Sequence, residues 1–243
     1  MKNVSYAAAA LSAAIMSCAP AGASTVTLVV PGTANPYLAG LPAGTTASSG
    51  DSAPSNSPVL VTGLEVLGGA AFSFSATGRV SLGGALGPDP DGSAPINHTG
   101  TPENGFSDVT MPRLSLLGVF LDEMLPTATS APASLDFSSE ASQSYSSLSP
   151  LLKQIFFIGD GVTDGGIAQT VVAPSGATRL YLGAMDGFGW FNNSGQFNVA
   201  VSGPDISTSP IPLPAGAPLL LAGLAALGAL RGRKRGRFTG SNG

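Results

Sequence analysis

The stretch Ala71-Phe-Ser-Phe-Ser-Ala-Thr77 alternates apolar and small polar side chains without a break. Phe72, Phe74 and Ala76 fall on one face and Ser73 and Ser75 on the other, the period of two expected of a half-buried strand. Gln196-Phe-Asn-Val-Ala-Val-Ser202 repeats the pattern: Phe197, Val199 and Val201 share a face, with Asn198 and Ala200 opposite. Strand-like runs also lie at 26–30, 59–66, 79–82, 114–121, 154–158, 167–172 and 179–185, with Gly- and Pro-rich turns between them. No helical period intervenes. Seven or eight short strands of this kind predict an all-β domain, an antiparallel β-sandwich or jelly roll.

Between the runs lie three long connections. Residues 35–57 are dense in Pro, Gly, Ser and Ala, have no period, and read as a loop or linker following the first strand. Residues 83–112 carry an Asp/Gly turn at Pro88–Gly92 and the chain's single histidine, His98, and read as an ordered loop. Residues 123–150, mostly Ser, Ala and Thr, read as a surface insertion, with a weak helical turn near 150–154.

The two ends are of a different kind. Ile211-Pro-Leu-Pro-Ala-Gly216 is followed by an apolar run over 217–230 and then by Arg231, Arg233, Lys234, Arg235 and Arg237. Residues 211–230 contain no charge, enough to cross a hydrocarbon core of about 30 Å as a helix. The basic cluster would keep its end cytoplasmic, so the body before it would face the other side of an inner membrane. Taken alone, this pattern fits an ordinary single-pass anchor or a sorting signal. At the other end Lys2, an alanine-rich apolar run over 4–16 and Ala21-Gly22-Ala23 read as a signal peptide cleaved after Ala23. The alternative makes Cys18 a lipoprotein acceptor. Cleavage after Ala23 would remove Cys18, the only cysteine, and leave no thiol or disulfide chemistry. The predicted plan is a signal helix at 1–23, a strand and linker at 24–57, the β-sandwich at 58–203, a linker at 204–210, a sorting segment at 211–237 with a single transmembrane helix over about 213–230, and a tail at 238–243.

Charge is segregated along this plan. Arg79, Arg113, Lys153 and Arg179 are the only cations of the body, against all fourteen acidic residues, a net of −10 that the whole-chain value of −4 conceals. Such a surface repels phosphate backbones and favours cations, which argues against nucleic acid as a partner. One histidine and no mature cysteine leave no material for a histidine-based triad, a metal–histidine cluster or a thiol nucleophile, so the chain does not read as an enzyme.

The stretch able to carry chemistry is Leu180-Tyr-Leu-Gly-Ala-Met-Asp186-Gly-Phe-Gly-Trp-Phe-Asn192-Asn193-Ser-Gly195. One carboxylate, two amide oxygens and freed turn carbonyls are the donors a hard cation takes. The same residues also suit a turn in which Asp and Asn cap backbone groups without any metal. Trp190, Phe188 and Phe191 either stack on a ligand's apolar face or close the end of the core. Asp160-Gly-Val-Thr-Asp164-Gly165 is a second Asp/Gly turn, read first as a hairpin loop.

Two resemblances extend these readings. Pro212-Leu213-Pro214-Ala215-Gly216, with its apolar run and basic end, resembles the VPLPA variant of the PEP-CTERM bacterial sorting signals, Ile211 standing for the usual valine. This implies an exosortase as partner, a transient stay in the inner membrane of a Gram-negative cell, and release to the cell surface, outer membrane or extracellular matrix. Residues 58–202 are similar to the galactose-binding-like, calcium-dependent bacterial lectins of the PA-I type. The similarity rests on Phe72-Ser-Phe-Ser-Ala-Thr-Gly78, Ser81-Leu82, Gly87-Pro88, Phe156-Phe-Ile-Gly159, and Arg179-Leu-Tyr-Leu-Gly183 through Asp186 to Asn192-Asn193-Ser194-Gly195-Gln-Phe197. It implies calcium held by Asp186, Asn192 and Asn193 with backbone carbonyls at Leu82 and at Gly189 or Trp190, and a sugar met by His98, Asp186, Trp190 and Asn192. Two departures mark the chain: the loop from Asp186 to Asn192 is shorter than in those lectins, and His98 is followed by Thr99-Gly100 with no matching glutamine, so galactose specificity is not implied and His98 by itself reads first as an exposed loop residue. The expectation is an exported protein that binds extracellular polysaccharide with calcium, the alternative a structural matrix protein with no specific ligand.

Overall fold

The computed structural model describes residues 22–48, 50–84 and 87–206. Residues 1–21 and 207–243 fall outside them, and with them the expected signal segment up to Ala21, the sorting motif Pro212, Leu213, Pro214, Ala215 and Gly216, and the expected membrane helix. Among the described residues no helix is long and apolar enough to cross a membrane.

The fold is all-β. Its strands are β1 (Ala23–Pro31), β2 (Val59–Leu60), β3 (Ala71–Leu82), β4 (Pro95–Asn97), β5 (Val109–Pro112), β6 (Leu116–Leu121), β7 (Leu135–Asp136), β8 (Ser147–Leu148), β9 (Phe156–Phe157), β10 (Thr170–Val172), β11 (Arg179–Ala184) and β12 (Asn193–Pro204). Described helix is confined to single turns at Pro36–Leu38, Pro126–Ala128, Glu140–Gln143 and Trp190–Asn192. Among the described residues three sheets result, ordered β1-β12-β3-β10-β8, β2-β11-β6-β9 and β4-β5-β7. Pairing is antiparallel except for β10 with β8 and β5 with β7.

Each run with a period of two in the sequence becomes a strand with one buried face. On β3 and β12 the inward side chains Phe72, Phe74, Ala76, Phe197, Val199 and Val201 are all buried, while Ser75 and Asn198 face solvent. Register sets Phe74 across from Val201 and Ala76 across from Val199, so apolar side chains meet apolar side chains along the pair. The second sheet supplies the other half of this core. Strand β6 is buried at every position, β11 contributes Leu180 and Leu182, and Phe72 meets Phe120 at 5.8 Å between ring centroids.

Residues 35–57 form a packed loop rather than a linker. Strand β1 pairs with β12 over its whole length, from Ala23 opposite Pro204 to Pro31 opposite Gln196. The chain then turns inward, burying Tyr37, Leu38 and Ala39 along with the polar Asn35, Asp51 and Asn56. Polar side chains take the place of an apolar period here. The Asn35 side chain accepts from Tyr37 N–H and donates to Asp51, and Asn104 donates to the carbonyls of Tyr37 and Thr46.

The 123–150 insertion is likewise tied down. Strand β7 adds to β5 and β8 adds to β10, and Phe137 is buried. Lys153, at φ 64°, is not in the expected helical turn. Its Nζ donates to the Pro126 carbonyl (3.2 Å), the Thr129 carbonyl (2.9 Å) and hydroxyl (2.6 Å), and the Ser130 carbonyl (2.8 Å). The one α-helical turn of this region is Glu140–Gln143, closed by a reciprocal capping bond between Ser139 and Ser142.

Candidate functional site

Strand β11 ends at Ala184 and β12 begins at Asn193, and the eight-residue connection holds most of the residues singled out in the sequence. Its path is dictated by a buried carboxylate from elsewhere in the chain. Asp51 accepts from Trp190 N–H (3.1 Å) and Phe191 N–H (2.9 Å), the free donors of the Trp190–Asn192 turn, and from Asn35 Nδ2 (3.0 Å). A carboxylate at a helical N-terminus satisfies donors that have no partner within the turn and suits the local positive field. Gly189 precedes the turn at φ 78°, a conformation that glycine takes without steric cost. Trp190 anchors the turn from inside: it is fully buried and its Nε1 donates to the Ala184 carbonyl at 2.7 Å.

Asp186 and Asn193 stand at the two ends of this connection, both buried. Asp186 Oδ1 accepts from Gly187 N–H (2.7 Å) and Phe188 N–H (3.4 Å), while Oδ2 is buried without a hydrogen-bond partner. Asn193 has the same division of labour. Its Nδ2 donates to the Gly32 carbonyl (3.1 Å), which fixes the amide, and Oδ1 is left buried and unpartnered. A Cβ on Gly32 would lie 2.8 Å from Val80 Cγ1 and 3.3 Å from Asn193 Cβ, so only glycine lets that carbonyl approach. Leu82, on β3, sits directly across from Asn193, and Gly83 N–H donates to the Asn192 carbonyl. The Asn192 side chain is exposed. The Gly189 and Trp190 carbonyls accept from Asn192 and Asn193 N–H, each with a lone pair to spare.

An acceptor oxygen with no donor, taken out of water, costs about 1–3 kcal/mol. Two such oxygens, one at each end of the turn, are acceptors of the kind a cation satisfies. Among the described residues no three His, Cys, Asp or Glu side chains gather as a metal site. The donors here are of another type, one carboxylate with amide and carbonyl oxygens. That set suits Ca²⁺, whereas zinc takes nitrogen and sulfur.

Two of the expected sugar contacts are corrected. His98 is no loop-surface residue: its side chain is fully covered, its ring stacks on Tyr37 at 3.9 Å between centroids, and Nε2 pairs with Glu103 Oε2 at 2.6 Å. The ring also lies 5.5 Å from Trp190. Trp190, being wholly buried, offers no face to a ligand either. The aromatic cluster Tyr37, His98, Phe106 and Trp190 is core beneath the turn, whereas Phe188 and Phe191 point to solvent.

No family model, curated protein or solved structure matches the chain.

The second Asp/Gly turn behaves as a hairpin loop. Asp160 Oδ1 accepts from Val162 N–H and Asp91 Oδ1 from Asp160 N–H. Burial first, then the neighbouring carboxylates of Asp160, Asp89 and Asp164, push the Asp91 carboxyl up, against the hydrogen bond it accepts. Sequence reasoning missed Asp51, the residue that shapes the site, because a lone Asp between Gly50 and Ser52 in a Ser- and Gly-rich stretch carries only a turn signal.

Proposed function

We propose that the chain is an exported surface or matrix protein whose lectin-like β-sandwich binds carbohydrate through a calcium ion at the 186–193 turn. The observation that carries this reading is the pair of bare, buried acceptors, Asp186 Oδ2 and Asn193 Oδ1. Asp186 and Asn193 hold the ion, Asn192 adds an amide oxygen from the exposed side, and the carbonyls of Leu82 and Gly189 complete an oxygen set. Calcium, once bound, supplies a hard positive centre with coordination positions left over for sugar hydroxyls. The body's net of −10 favours the ion at long range. Sorting belongs to the tail: the motif Pro212 to Gly216 is the segment an exosortase would recognise, and matrix exopolysaccharide is the ligand class within reach after release.

Thermal melting with and without calcium tests the site. At a calcium concentration of about 100 Kd the native state gains about 2.7 kcal/mol, which for a body of this size raises Tm by roughly 5–10 °C. Asp186→Ala and Asn193→Ala should each abolish the rise while retaining the β signature in circular dichroism. A wild-type chain whose Tm is unmoved by ~10 mM calcium, far above the ordinary range of extracellular calcium sites, would leave a structural protein without this ligand.

A further inference from the structure

Ten of the chain's eleven phenylalanines are among the described residues, and eight of these are at most 5 % exposed. The two exceptions are Phe188, 66 % exposed, and Phe191, 58 % exposed, three positions apart in the connection that carries the bare oxygens. The core beneath gains nothing from either ring, since Trp190 between them already closes it. Phe188 follows Asp186 by two residues and donates its N–H to the Asp186 carboxylate; Phe191 immediately precedes Asn192. A Cβ on Gly189 would lie 3.1 Å from Phe191 Cε1 and 3.7 Å from Asn192 Nδ2, so the Phe191 ring and the Asn192 amide crowd the same small patch above Gly189. Leu82, opposite Asn193, is a further partly exposed apolar side chain beside the turn.

Phenyl rings left in water beside buried polar acceptors have the two-sided character of a ligand site, with an apolar wall and a few placed polar groups. We infer that Phe188 and Phe191 form an apolar lip on the cation site and select the ligand. The glycan residue it takes gives hydroxyl oxygens to the cation and lays a C–H-rich face, such as a deoxy or O-acetylated position, on the rings. This inference rests on the calcium–carbohydrate reading above and adds to it the residues that choose among sugars. A pyranose without such a face satisfies the cation but forgoes ring contacts of the size measured between aromatic groups.

Both rings face solvent, so Phe188→Ala and Phe191→Ala open no cavity and leave the fold intact. The full chain, the two variants and an Ile167→Ala control, equally exposed on a different loop, are applied to an array of immobilised mono- and oligosaccharides. The array includes 6-deoxyhexoses and O-acetylated residues and is read in calcium and in chelator. Calcium affinity is measured in parallel by calorimetry. Each Phe variant should lose about threefold to tenfold in glycan affinity, most on deoxy and acetylated residues, with calcium affinity within about twofold of wild type and the control unchanged. Calcium-dependent glycan binding that is equal in wild type and Phe variants overturns the lip and leaves the cation site standing. A wild-type chain that binds no glycan in calcium overturns the carbohydrate reading and the lip with it. Flotation with phosphatidylglycerol vesicles that needs both rings, without any glycan signal, replaces the sugar by a lipid surface.

Discussion

Glu103 joins two loops with a single carboxylate. Its oxygens accept from Ser48 N–H and from the Ser48 hydroxyl (2.9 Å), and pair with His98 Nε2. Burial works to raise this carboxyl, but the hydrogen bond with His98 and those from Ser48 outweigh it and hold it below the usual glutamate range. A depressed folded value means the stabilisation is complete above the unfolded value of 4.5 and is lost as the pH falls through the lower folded one. Glu103→Gln should therefore melt roughly 3–6 °C below wild type near pH 6, with the gap narrowing as the pH falls below 4.5. Melting curves across that range decide the matter, and a gap independent of pH would assign the loss to packing alone. The buried histidine beneath the candidate site thus has a structural partner of its own, separate from any ligand.

The connection between β11 and β12 owes its shape to a segment about 140 residues earlier in the chain, which makes Asp51 its most informative single position. Asp51→Ala strips acceptors from two backbone donors and one side-chain donor, and should cost about 2–4 kcal/mol in urea denaturation. It should also weaken the proposed calcium binding at least tenfold, since Asn192 ends the turn it caps and Asn193 follows directly. Asp51→Asn, which retains one acceptor oxygen, should lose less on both counts. Calorimetry that finds calcium affinity intact in the alanine variant would separate the turn's anchoring from the site's geometry. The long strands β3 and β12 were legible in sequence because burying one face forces a period of two on Phe72, Phe74, Phe197, Val199 and Val201. Strands of two or three residues, such as β4, β7 and β8, hold too few positions for a period to show. Residues 35–57 escaped for another reason: Asn35, Asp51 and Asn56 bury by hydrogen bonding, which no hydropathy pattern records. Asp186, Asn192 and Asn193 could be named from their types and spacing. Nothing local to the sequence distinguishes a tryptophan that faces inward from two phenylalanines that face outward, because tertiary packing decides it.

For the molecule entire, the proposed route through the membrane and the proposed ligand make separate demands. If an exosortase processes the tail, replacing Pro212 and Pro214 with alanine should leave an uncleaved precursor in the membrane fraction, detected by immunoblot, while calcium binding by the body is unchanged. Release at the wild-type rate would contradict the sorting proposal without touching the site. The acidic body, with Arg79, Arg113, Lys153 and Arg179 as its only cations, has three of them committed to backbone carbonyls: Arg79 on Gly87, Lys153 on residues 126–130 and Arg179 on Asp122 and Met124. Its negative field is therefore left with few mobile counter-charges.

The ladder between β1 and β12 has a geometrical corollary. Ala23 faces Pro204 and the Gly22 carbonyl takes the Asp205 N–H, so chain entry and chain exit share one corner of the body. Strand β12 spans twelve residues from Asn193 to Pro204, a length of about 35 Å in extended backbone. The turn that carries the bare oxygens of Asp186 and Asn193 therefore stands at the end of β12 farthest from that corner.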